Sequence, residues 1–242
     1  MVFGVLTDPK IISRAQILAV TYDGGRGKRI RPCNARGTIR SRIGTTVPAR
    51  RAVHELEQGP GAPGTRMRRP GEAISQLQAA RAAYQELGDL VREATTLTGL
   101  GAAFLKADQG DDAVSTLRAA VAAHHGTRRP YSEAVALGNL GGALMMTGHL
   151  DEAVEVLRKA DRIYRQIGNL HGRSSALMNL GAALRKAGRA EEAIKPYRDA
   201  AALAWAAGDD QQAGRILALL ADTYRETGQH AEASAILRGS RN

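Results

Sequence analysis

From Gly71 onward the apolar positions follow the period of a helix, and the helical pattern itself recurs. Leu137, Leu140, Gly141 and Leu144 fall at i, i+3, i+4 and i+7, which is one face of a helix; Ala153, Val156, Leu157 and Ala160 form a second such face after a short break. Forty residues later Leu137, Leu140, Gly141, Leu144, Gly148, Ala153 and Ala160 recur as Leu177, Leu180, Gly181, Leu184, Gly188, Ala193 and Ala200. Forty further on stand Leu217, Leu220, Ala221, Tyr224, Gly228, Ala233 and Ser240, and forty back stand Leu97, Leu100, Gly101, Phe104, Asp108, Ala113 and Ala120. A fixed period with small and large residues in the same positions predicts an all-α array of stacked, antiparallel helix pairs.

The pattern predicts helices over 71–87, 90–107, 111–125, 131–147, 151–167, 170–187, 191–207, 210–227 and 231–239. Gly141 and Ala153 are small where the two helices of a pair should cross, and a larger side chain there would cost roughly 1–3 kcal/mol. Gly148 stands where the first helix must stop in a left-handed turn. The pairs Asp111-Asp112, Asp151-Glu152 and Glu191-Glu192 place acid at the positive start of each second helix. Gly88-Asp89, Gly168-Asn169 and Gly208-Asp209 should end one helix and cap the next. Pro196, about six residues into its helix, is expected to bend it.

These positions resemble those of the tetratricopeptide repeat: a large residue (Leu137, Leu177), Leu-Gly (Leu140-Gly141, Leu180-Gly181), a large residue (Leu144, Leu184), Gly, Ala, a large residue (Leu157, Tyr197) and Ala. The usual period is about 34 residues; the form with forty and with Asn-Leu-Gly in the first helix is similar to that of bacterial regulators and kinesin light chains. Asp108 departs from the turn Gly, and Ala221 from the Gly of Leu-Gly. The resemblance covers 71–242, divided into a half repeat 71–89 and repeats 90–129, 130–169, 170–209 and 210–242. It implies a right-handed superhelical solenoid with a concave inner face, a binding scaffold rather than an enzyme, and no cofactor.

Charge separates the chain into two parts. Residues 1–70 hold 14 Lys and Arg against 4 Asp and Glu, whereas 71–242 hold 20 of each, so the net charge of +10 belongs wholly to the first part. The array is neutral and exerts no long-range pull on a polyanion. Residues 1–69 are Arg- and Gly-rich, too sparse in apolar residues to bury a core, and are expected to be disordered. The segment 58–64, Gln-Gly-Pro-Gly-Ala-Pro-Gly, reads as a linker where the first helix of another repeat would fall. Two readings stand for 1–69: a basic tail, or sequence from an incorrectly assigned start or frame. Cys33 is the sole cysteine, which excludes an intrachain disulfide framework. No apolar run approaches the roughly 18 residues of a membrane span and no signal peptide is evident, so a cytoplasmic protein without a membrane partner is expected.

Motifs for chemistry are weak. Gly24-Gly25-Arg26-Gly27-Lys28-Arg29 lacks the first Gly and the Ser or Thr that a phosphate-binding loop requires. His124 and His125 are adjacent, so on a helix they diverge, and all six His read as solvated. No nucleophile elbow is visible, and neither catalytic nor metal-binding residues are assigned. The basic segment could hold nucleic-acid phosphates, the alternative function being a nucleic-acid-associated regulator with effector-binding repeats. It carries only Phe3 and Tyr22 for stacking on single strands, however, and no groove-reading helices follow.

The resemblance places a protein or peptide ligand on the concave face, where inner positions of the first helices would meet it. Asn139 and Asn179 match the position at which relatives bond a peptide backbone, for which an amide has both donors and an acceptor. A cap or a merely solvated amide is the other reading of these two residues. Met145 and Met178 offer adaptable apolar contact, and Arg185, Arg215, Asp222 and Arg225 supply charge, the arginines towards an acidic partner. The array begins with half a repeat and ends without a polar capping helix, so self-association through its ends is also expected.

Overall fold

The computed structural model describes the backbone of residues 70–239, with side chains to Ile236; the basic segment, Cys33 and the phosphate-loop-like stretch lie outside the described residues. The described residues form α1 (Pro70–Leu87), α2 (Leu90–Lys106), α3 (Gly110–Gly126), α4 (Pro130–Met146), α5 (Leu150–Gln166), α6 (Leu170–Lys186), α7 (Ala190–Ala206), α8 (Asp210–Glu226) and α9 (His230–Gly239). Each bound lies within one residue of the position that the apolar period predicts.

Every helix packs on the next, and α4 also touches both α2 and α6. The first helices of successive pairs therefore line one face and crowd together, while α3, α5 and α7 form the outer layer. Such unequal spacing curves the solenoid and makes the α2–α4–α6–α8 face its concave side.

The close crossing within each pair has a direct cause. A Cβ added to Gly101 would lie 2.4 Å from Leu117 Cγ, and one on Gly141 would lie 2.6 Å from Leu157 Cγ. Leu117, Leu157 and Tyr197 are fully buried, as are Ala113, Ala153 and Ala193 beside them. Glycine on the first helix thus admits a large residue from the second.

The turns match their chemistry. Gly88, Gly168 and Gly208 have positive φ, and the amides of Asp89, Asn169 and Asp209 donate back to the carbonyls of Tyr84, Tyr164 and Ala204 at 3.0, 2.9 and 2.9 Å. Each capping side chain then accepts from the first turn of the next helix: Asp89 from Arg92 N at 3.0 Å, Asn169 from Gly172 N at 2.7 Å and Asp209 from Gln212 N at 2.9 Å. Where the repeat lacks its glycine, Asp108 and Arg128 adopt φ of 60° and 53° themselves. Helix α7 continues through Pro196 from Ala190 to Ala206, the ring costing it one backbone hydrogen bond.

One expectation fails. His124 is buried, not solvated: its Nε2 lies 3.0 Å from Thr98 Oγ1 and its Nδ1 has no partner. It occupies the repeat position held by Tyr84 and Tyr164, a core position. His125 points the other way, to Glu133 at 3.1 Å.

Candidate peptide-binding groove

The concave face is built from the inner positions of α2, α4, α6 and α8, and its floor is made of small residues. Gly138 and Gly142 are half-buried, and a Cβ at either would meet nothing within 4 Å. Ala102 and Ala182 hold the same position as Gly142 in the adjoining repeats. The helix backbone is consequently approachable along the middle of the groove.

Asn139 and Asn179 stand in this floor, one repeat apart and both half-buried. Their amides are not fully met within the protein: Asn139 Nδ2 and Asn179 Oδ1 are buried and unbonded. An unmet donor and an unmet acceptor, each buried, cost roughly 1–3 kcal/mol apiece. A cap would show a bonded backbone amide, so the capping reading of these residues does not fit.

Next to Asn179 the face opens into a depression of about 350 Å³ lined by Met178, Ala182, Arg185, Tyr197, Leu219 and Glu226, with Lys186 at its edge. Arg185 is already engaged, its Nε donating to Glu226 Oε2 at 3.0 Å and its Nη2 to the other carboxylate oxygen. Hydrogen bonding from Arg185 to Glu226 holds the Arg185 pKa above its ordinary value and, reciprocally, the Glu226 carboxyl below its own. Lys186 Nζ donates to the Met145 carbonyl at 2.5 Å, joining α6 to α4.

The remaining predicted residues divide. Met145 and Met178 are half-buried on the groove side, packed against the core. Arg225 pairs with Asp222 at 2.6 Å on the exposed surface of α8, so neither charge is free, whereas Arg215 is exposed and makes no ion pair among the described residues. Of the three arginines expected to attract an acidic partner, only Arg215 is thus uncommitted among the described residues. Ser175, also at an inner position, is buried and accepts from Gln212 Nε2 at 3.2 Å, which ties α6 to α8 and removes it from the surface.

Tyr197, Lys186, Leu219 and Glu226 line the depression but escape a reading of inner positions alone. Tyr197 comes up from the second helix, and its register with Leu157 marks it as core. Glu226 shares a register with Lys186, and that exchange of opposite charges is the available signal. Among the described residues no group of His, Cys, Asp and Glu could hold a metal, and no helix is long and apolar enough to cross a membrane.

The family model of the tetratricopeptide repeat matches residues 132–204 and 173–240. Among solved structures, that of the Podosopora anserina putative kinesin light chain nearly identical TPR-like repeats is 21% identical, with a TM-score of 0.61, over 80% of this chain and 92% of that one. A Rap protein complexed with Competence and Sporulation Factor is 18% identical, with a TM-score of 0.61, over 78% of this chain and 51% of that one. The Rap conjugation gene regulator of the plasmid pLS20, in complex with the Phr* peptide, is 18% identical, with a TM-score of 0.53, over 76% of this chain and 49% of that one. The chain thus spans about half the length of these two Rap chains. No curated protein sequence matches it.

Proposed function

We propose that this chain, a tetratricopeptide-type repeat protein, is a non-enzymatic scaffold that binds a protein or peptide segment in its concave groove. The observation that carries the reading is the pair of incompletely bonded amides of Asn139 and Asn179, set one repeat apart in a floor of Gly138, Gly142 and Ala182. An extended backbone laid along that floor brings N–H and C=O groups to the two amides, and rotation of the side chains towards it gives the atoms now buried and unmet their partners. The likeness to Rap chains, one of them solved with the Phr* peptide, supports a segment of peptide size. It also supports the finer reading of a regulatory or sensor part in a bacterial signalling or transcription protein.

The test is selection of a random-peptide display library on the full chain. Binding of the selected peptides should fall roughly ten- to a hundredfold in the Asn139→Ala/Asn179→Ala variant at unchanged helicity. Outer-face changes such as Glu155→Ala and Arg162→Ala, both at exposed positions, should leave it intact. Loss of binding through the outer pair, with the Asn pair silent, would place the ligand elsewhere.

A further inference from the structure

We propose that Arg185 and Tyr197 form a subsite of the groove that takes an acidic side chain of the bound peptide, and that Glu226 occupies it when the groove is empty. The inference rests on the groove being the ligand site and names what it selects.

The repeats of the chain differ at this point. The position of Arg185 is held by Leu105 and Met145 in the two preceding repeats, and that of Tyr197 by Leu117 and Leu157. The following repeat keeps an arginine, Arg225, at the first position but returns to Leu237 at the second, so this repeat alone joins an arginine to a tyrosine. The stacking itself does not need this, because the same crossing is made with leucine at Leu117 and Leu157, both fully buried.

The tyrosine is itself unusual. Tyr197 is 0% exposed, yet its hydroxyl has no aligned hydrogen-bond partner and the residue lines the open depression. Burial raises its pKa against the opposing hydrogen bond and charge of the nearby Arg185 guanidinium, so the group is neutral, its oxygen facing Arg185 outside aligned geometry and its O–H without an acceptor. The hydroxyl is closed to solvent as the empty groove stands, so an acceptor entering the depression reaches it only when neighbouring side chains such as Glu226 shift.

A carboxylate already sits there. The Glu226 carboxylate reaches across from α8 and engages both Nε and Nη2 of Arg185, the two-pronged geometry a guanidinium offers a carboxylate. Glu226 is 47% exposed and projects from the edge of the depression, so it can swing into solvent without unpacking anything. A ligand carboxylate in its place would keep the guanidinium satisfied and would also accept from Tyr197. Met178 and Leu219 beside it form an apolar floor for the neighbouring ligand side chain.

The experiment uses the full chain and peptides selected from a random display library, with affinities measured for wild type, Tyr197→Phe, Arg185→Met and Glu226→Gln. The expected result is an Asp or Glu at a fixed distance from an apolar residue in the selected peptides. Affinity should fall about tenfold with Tyr197→Phe and at least as much with Arg185→Met, and should rise severalfold with Glu226→Gln, which removes the competing charge. Alanine in place of the peptide's acidic residue should abolish the difference between wild type and Tyr197→Phe. Phosphorylated residues in place of Asp or Glu would overturn the carboxylate assignment. Peptides that need Asn139 and Asn179 but ignore Arg185, Tyr197 and Glu226 would overturn the subsite and leave the groove standing. Failure to obtain any peptide sensitive to either set would overturn both. Tyr197→Phe should also fold at least as stably as wild type, since its hydroxyl makes no aligned hydrogen bond; a clear loss of thermal stability would show a structural role and sink the proposal.

Discussion

A Cβ placed on Gly181 would lie 2.7 Å from Tyr197 Cε1, closer than a tyrosine ring in a full core can yield. The same opposition of a backbone glycine to a large side chain recurs at Gly141 and Leu157 and at Gly101 and Leu117. It sets how closely the helices of each pair approach, and through that the pitch of the array. Gly181→Ala should therefore destabilise the chain by about 1–3 kcal/mol, measured by thermal or denaturant unfolding. A neutral result would mean that α6 and α7 can separate at little cost.

The turns yield a stabilising change. Arg128 has a φ of 53° at the position where Gly88, Gly168 and Gly208 provide the left-handed turn. That conformation costs a long L side chain roughly 1–2 kcal/mol, while glycine loses part of the gain through the freedom of its unfolded chain. Arg128→Gly should raise stability by about 0.5–1 kcal/mol. Asp108→Gly, at a φ of 60°, should gain less, because Asp tolerates this region better. Equal or negative effects at both sites would show that the loop side chains make contacts worth more than the strain.

Helix bounds are legible to one residue because the apolar period coincides with a turn glycine in most repeats and, at Asp89, Asn169 and Asp209, with a capping side chain as well. The floor of the groove is legible too, since Asn139 and Asn179 share a register with residues that face inward. What register alone does not convey is which charges are already paired. Arg185 and Arg225 look alike in sequence, yet one is clasped by Glu226 from the neighbouring α8 and the other by Asp222 on its own helix. Nor does an inner-position reading find Tyr197, which reaches the groove from the outer helix. His124 is misread for a related reason: polarity suggests solvent, and its register with Tyr84 and Tyr164 is the better guide.

That histidine gives the chain an acid sensitivity. Burial, reinforced by the charge of Arg129 and opposed in part by Glu133, pushes the His124 pKa below its ordinary 6.5. The unfolded chain therefore takes up this proton near pH 6.5 while the folded chain still resists it. As pH falls below about 6.5 the unfolded state binds more protons, and stability declines until the folded pKa is passed. Glu133 acts in a lower window: burial would raise its carboxyl, but hydrogen bonds from Lys159 and His125 outweigh this and hold it below 4.5. Its contribution is present above 4.5 and lost as pH falls through the folded value. His124→Tyr, which restores the residue of the neighbouring repeats, should flatten the stability profile just below pH 6.5 and leave the decline at lower pH. An unchanged slope in unfolding experiments between those windows would show that His124 does not govern it.

Three glycines of α4 separate packing from binding. Gly141 faces Leu157 Cγ at 2.6 Å from its would-be Cβ, whereas Gly138 and Gly142 face open space within the groove. Alanine in a helix interior is favoured over glycine by about 0.5–1 kcal/mol where nothing obstructs it. Gly138→Ala and Gly142→Ala should thus each raise the Tm, while Gly141→Ala lowers it. The two stabilising methyl groups would stand on either side of Asn139 and hold a peptide backbone away from its amide. Affinity for a groove-bound peptide should fall as stability rises, which is the opposite of what a general loss of folding would produce. Calorimetric unfolding and titration of the same variants read both signs. Stabilised variants with undiminished affinity would mean that the ligand does not approach this stretch of α4, and the groove assignment would fail there.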